Sequence, residues 1–70
     1  MTIHARINHI GWIHLWATRE AFETGEPSAC FFDPKVDPLW LACSLPEEAT
    51  SRLAAGELVE LADPGFLDEA

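Results

Sequence analysis

Ile3, Ile7, Ile10, Ile13 and Trp16 recur at spacings of three and four, which fits one face of a helix, yet TIHARIN and GWIHLWA also carry the β-branched and aromatic content of strands. The two templates compete over residues 2–17. Gly11 interrupts the helical reading, and Ile13 and Leu15 flank His14 with the alternation of a half-buried strand, so residues 11–17 are expected to be extended. Thr18 is placed to cap a short helix, REAFET, with Glu20 in its first turn and Gly25 suited to the left-handed position beyond its end. Glu26 and Pro27 then open a turn.

SACFF and LWLACSL are apolar runs separated by DPKVDP, whose two Asp-Pro steps favour turns and remove ladder donors, a pattern that predicts a β-hairpin. Its register is open: Cys30 faces Cys43 and Phe32 faces Leu41, or a shift of one residue pairs Phe32 with Trp40. In SLPEEATSRLAAG, Ser44 and Glu47 are spaced as a capping box, Pro46 fits a first turn, and Glu47 and Glu48 complement a helix N-terminus. Leu45, Ala49 and Leu53 supply the buried stripe, and Gly56 is placed to end the helix. ELVELA then reads as a strand; the rival is a helix running on through Gly56 to Ala62 at a cost of about 1 kcal/mol for the interior glycine. Asp63-Pro64-Gly65 has the residues of a type II turn, after which Phe66 and Leu67 are positioned to return to the core. These elements predict one small α+β domain over residues 1–70, an antiparallel sheet with one or two short helices packed on one face.

Seventy residues bury only about 60% of the surface that the unfolded chain exposes, so each large apolar group weighs heavily. Three Trp and four Phe supply wide side chains for a thin core; Trp16 and Trp40 are the better core candidates, and Trp12, beside Gly11, is a candidate for a partly exposed contact. An apolar fraction of 49% with 23% charged residues is that of an ordinary globular domain, not of a disordered chain. The start of the chain lacks a basic segment followed by a clean apolar run, and no stretch reaches the roughly 18 apolar residues of a membrane span. A soluble, cytoplasmic protein is expected. Cys30 and Cys43 read as two small thiols in a reducing compartment, with no disulfide implied.

Charge changes the picture most. Residues 36–70 hold Asp37, Glu47, Glu48, Glu57, Glu60, Asp63, Asp68 and Glu69 against Arg52 alone, a net −7, whereas residues 1–35 net −1 of the total −8. Direct nucleic-acid binding needs a cationic footprint, and Arg6, Arg19, Lys35 and Arg52 are scattered and outnumbered threefold. The reverse holds for a partner with a basic groove, which carboxylates on a rigid domain could enter. Glu47, Glu48, Glu57, Glu60, Asp68 and Glu69 are the candidate contact residues, against the plainer reading of solvated charges that keep a small protein in solution. His4, His9 and His14 lack the paired spacing of a structural zinc site, and five-residue steps send them to different faces of a helix or strand. A Cys–His nucleophilic pair from Cys30 or Cys43 rests on composition alone, and no phosphate loop, GxSxG or HExxH pattern occurs. No catalysis, cofactor or metal is expected.

In size, acidity and absence of a catalytic motif, the whole chain resembles the small phage-encoded inhibitors of bacterial defence, the anti-CRISPR proteins. The resemblance implies stoichiometric binding to a CRISPR surveillance complex in the host cytoplasm, by DNA mimicry at the basic surface that holds target DNA. The alternative is a general protein-interaction module, an antitoxin or accessory subunit, working through an apolar patch at Trp12 or through a homodimer face.

Overall fold

Burial alternates along residues 2–7. Ile3 and Ala5 are fully buried while Thr2 and Arg6 are exposed, and this two-residue period makes Thr2–Ile7 a strand, β1. β2 (Ile13–Trp16) repeats the pattern, with Ile13 and Leu15 inward. In this computed structural model, which describes residues 2–67, the competition between helix and strand is thus settled for the strand. Asn8 turns the chain between them: its backbone N–H donates to the Trp12 carbonyl (2.8 Å) while its side-chain Oδ1 accepts from the amides of Ile10 (3.0 Å) and Trp12 (2.9 Å). Gly11, at φ +89°, takes the left-handed conformation that closes this turn.

The expected helix at REAFET is α1 (Arg19–Glu23), capped by Thr18 Oγ1, which accepts from the Ala21 amide. Its end is a Schellman closure: Gly25 N–H donates to the Phe22 carbonyl and Glu26 N–H to that of Ala21. The expected hairpin is not formed. Only Cys30–Phe32 is a strand, β3, and it pairs with β2, setting Phe32 opposite Ile13 and Cys30 opposite Leu15. The second apolar run instead starts a helix, α2 (Pro38–Leu41), because Asp37 accepts from the Trp40 amide (2.9 Å) as an N-cap while Pro38 fills the first position, where a missing donor costs nothing. Cys30 therefore does not face Cys43, and both thiols are free.

α3 (Glu47–Ala54) forms where expected but without the capping box. Pro46 occupies the N-cap in an extended conformation and no side chain caps the helix, which leaves Ser44 too far upstream to bond the first turn. Gly56, at φ +83°, ends α3 with a second Schellman closure, Gly56 N–H to Leu53 and Glu57 N–H to Arg52, so the helix does not run on to Ala62. Val59–Ala62 is the last strand, β4, antiparallel to β1 with Ala5 opposite Val59 and Ile3 opposite Leu61.

The result is a four-stranded antiparallel sheet in the order β3-β2-β1-β4, an α+β fold. Between the two edge strands the chain crosses one face of the sheet, carrying α2 and α3. Ile3, Ala5, Ile13, Leu15, Phe32, Leu53, Val59 and Leu61 form the core on that face. Phe32 stacks on Phe66 (4.7 Å between centroids, 3° apart) and packs on Trp40 (5.4 Å), which pins both α2 and the segment after β4 to the sheet. A third helix, α1, lies against the opposite face, where Phe22 meets Trp16 edge-on at 4.9 Å. Trp16, expected in the core, is thus only half-buried on the outer face, because it shares strand parity with His14 and not with Leu15.

Phe66 and Leu67 return to the core as expected because Asp63 holds the turn: its carboxylate accepts from the amides of Gly65 (2.9 Å), Phe66 (2.7 Å) and Leu67 (2.9 Å). Partial burial pushes the Asp63 carboxyl up, but these three amides outweigh it and leave the pKa below the ordinary 3.8. A carboxyl lowered on folding stabilises the native state above its unfolded pKa, and that contribution is lost as pH falls through the lower folded value. The urea midpoint is therefore expected to fall more steeply below about pH 4 in the wild type than in Asp63→Asn; parallel acid limbs would remove Asp63 from the stability of this turn.

Candidate functional site

Two surfaces of the domain carry groups that the core does not use. The first is the outer face of the sheet, where strand parity sends Arg6, Trp12, His14, Trp16 and Phe31 away from the core. His14 stacks on Phe31 (5.5 Å) and on Trp16 (6.1 Å), and Phe31 stacks on Trp12 (5.8 Å), giving a continuous aromatic stripe. Asn8 fixes its centre. Because Asn8 Oδ1 is held by two backbone amides, its Nδ2 faces His14 Nε2 (2.9 Å); that nitrogen must then accept, and His14 Nδ1–H donates to Ser28 Oγ (2.8 Å). Both ring nitrogens are thereby committed. Arg6 is committed too, its Nε donating to the Gly56 carbonyl (3.1 Å) and its guanidinium lying 5.8 Å above the Phe22 ring. Trp12 is half-buried as expected, while Phe31 is 59% exposed and nearby in sequence Ile10 is 64% exposed.

The second surface runs along β4 and the start of α3. Glu47, Glu48, Glu57 and Glu60 are all exposed. Glu48 and Glu60 both line one depression, with Pro46, Ala49, Val59 and Arg52. This depression continues into a groove of about 430 Å³ between Leu45, Pro46 and Ala49 on one side and residues 60–64 on the other, with Asp63 also on its wall. Arg52, the one basic residue at the depression, is turned to Glu57 (3.5 Å). Glu57 is therefore drawn into an ion pair, while neither Glu48 nor Glu60 has an ion-pair partner among the described residues. Asp68 and Glu69 lie outside the described residues. Trp12 belongs to the aromatic stripe and does not line this groove.

The thiols are not poised for nucleophilic attack. Burial pushes both Cys30 and Cys43 up, and the charges of Asp37 and Asp63 push them further the same way, so both stay protonated at neutral pH. Cys43 Sγ–H donates to the Leu39 carbonyl (3.3 Å). His4 and His14 share the outer sheet face and His9 sits in the β1–β2 turn, and no cluster of three metal-ligating side chains occurs among the described residues.

Of the candidate acids, Glu47, Glu48, Glu57 and Glu60 are exposed, but the sequence had no means to show which of them share a surface depression. It missed Phe31, which stood only within the apolar run SACFF with no face assigned to it, although the shared parity of Trp12, His14 and Trp16 was a usable sign of an aromatic outer face. No helix of the described residues is long and apolar enough to cross a membrane. No protein-family model, curated protein or solved structure matches the chain.

Proposed function

We propose that this chain acts by stoichiometric, non-catalytic binding to a protein with a basic surface, through the acidic surface formed by α3 and β4. The observation that carries this reading is that Glu48 and Glu60 line one depression, with Glu47 next to Glu48 in α3 and the cation Arg52 of the same depression paired with Glu57. Carboxylates in excess over the local cation repel phosphate and attract a cationic surface, and they raise association rates over the range of the screened field. Surfaces built to hold nucleic acid are densely cationic. A nucleic-acid-binding defence complex of the host cell, with this domain seated at its target-DNA site as anti-CRISPR inhibitors are, is the partner class this charge favours. Site-blocking makes binding of the domain and of duplex DNA mutually exclusive. Duplex DNA added to the captured complex is expected to release the domain; a ternary complex would refute competition for the DNA site.

A second reading is favoured by the aromatic stripe. With Phe31 59% and Ile10 64% exposed close to Trp12, the outer face offers an apolar contact of the kind found at interaction modules. Partner capture that survives high salt and is lost in Trp12→Ala would move the contact to that face.

A further inference from the structure

Resting on the acidic-surface reading, we infer that the free edge of β4 accepts an extended segment of the partner protein as a fifth strand, and that this segment alternates apolar with basic residues.

β4 pairs with β1 on one side and is an edge of the sheet on the other. In an antiparallel edge strand, alternate residues aim both N–H and C=O away from the sheet. Among the described residues, no backbone or side-chain group outside β1 bonds to Val59–Ala62. Val59–Ala62 contains neither proline nor lysine, the residues that commonly block such an edge. The two depressions beside β4 are lined by β4, the turn after it, and α3 with the segment leading into it, with no residue of β1, and they share Pro46, Ala49 and Glu60. A groove with an unpaired strand edge on one side and a helix start on the other is the geometry used for strand addition.

Parity then sets the chemistry of the occupant. Val59 and Leu61 point to the core side of the sheet, Glu60 and Ala62 to the outer side. An added strand keeps this alternation, so its core-side residues meet Leu45, Pro46 and Ala49, and its outer residues stand beside Glu60. The first set must be apolar, and the second is best occupied by Lys or Arg. A second copy of this chain is disfavoured, because it would set the rim of Glu48, Glu60 and Asp63 against its own image.

The probe is a hexapeptide of alternating Lys and Val, blocked at both ends, titrated into ¹⁵N-labelled protein. Its Glu–Val counterpart and two N-methylated forms, one methylated at every Lys amide and one at every Val amide, serve as comparisons. The Lys–Val peptide is expected to shift the amides of residues 59–62 and 45–49 and to slow hydrogen exchange along β4. One N-methylated form should lose about tenfold in affinity, because its methyls face β4 and remove the pairing donors, while the other binds nearly as the parent does. Equal binding of both methylated forms, shifts mapping elsewhere, or no binding of the Lys–Val peptide would overturn strand addition. Should both methylated forms bind equally while the Glu–Val peptide fails, the acidic contact stands without the added strand; should Lys–Val and Glu–Val peptides bind alike, both readings fall. Concentration-dependent self-association that protects residues 59–62 without peptide would make a second copy the occupant and overturn the proposal.

Discussion

Phe32→Ala is expected to leave the domain largely unfolded, or to lower its urea midpoint so far that no native baseline remains. Phe32 is buried, stacks on Phe66, packs on Trp40 and faces Ile13 across the β2–β3 pair, so its removal opens a cavity where three parts of the chain meet. A buried Phe→Ala change costs about 3–5 kcal/mol, whereas a chain of this length has roughly 4–10 kcal/mol in total. The neighbouring Phe31→Ala is the control. Phe31 is mostly exposed, and its stacking on Trp12 and His14 is worth about 1 kcal/mol or less. Tryptophan fluorescence in urea distinguishes the two, since Trp40 lies on Phe32 and Trp12 on Phe31. Equal losses, or a larger loss at Phe31, would mean that β3 is shifted by one residue and shows its other face to the core.

The same parity explains how much of the fold could be read beforehand. Ile13, His14, Leu15 and Trp16 alternate plainly enough to reveal β2, and Gly25 and Gly56 announced the helix ends because a Schellman closure needs a residue at ease with positive φ. LWLA misled because an apolar run of that length suits a strand or a short helix equally, and Asp37-Pro38 is at once a turn signal and a helix start. Ser44 and Glu47 had the spacing of a capping box, but Pro46 itself takes the cap position, so the motif is out of phase with the helix. The candidate site was legible only as a list of acids. Glu48 and Glu60 line one depression because the chain crosses from the β3 edge to the β4 edge and packs α3 against β4, a long-range arrangement that no local pattern encodes.

Reversing those two charges is the second large effect expected. Glu48→Lys with Glu60→Lys should slow association with the captured partner and weaken binding about tenfold or more at low salt, because each lysine adds repulsion where a carboxylate gave attraction. Both side chains are exposed and neither has an ion-pair partner among the described residues, so the fold should survive; loss of Glu48 from the first turn of α3 costs at most about 1 kcal/mol through the helix dipole. Circular dichroism and a urea midpoint near the wild-type value verify this. Net charge alone must be separated from its location, and Glu20→Lys with Glu26→Lys does so. Each pair adds two charges twice, taking −8 to −4, but Glu20 and Glu26 belong to α1 and its closing turn, against the opposite face of the sheet. The deciding measurement is partner binding by these two double variants, side by side with the wild type, at low and high salt. Weakened binding for the Glu48/Glu60 pair, little change for the Glu20/Glu26 pair, and a difference that shrinks as salt screens the charges is the result expected of an acidic α3–β4 contact. Equal weakening of both pairs, or binding indifferent to either, would contradict it.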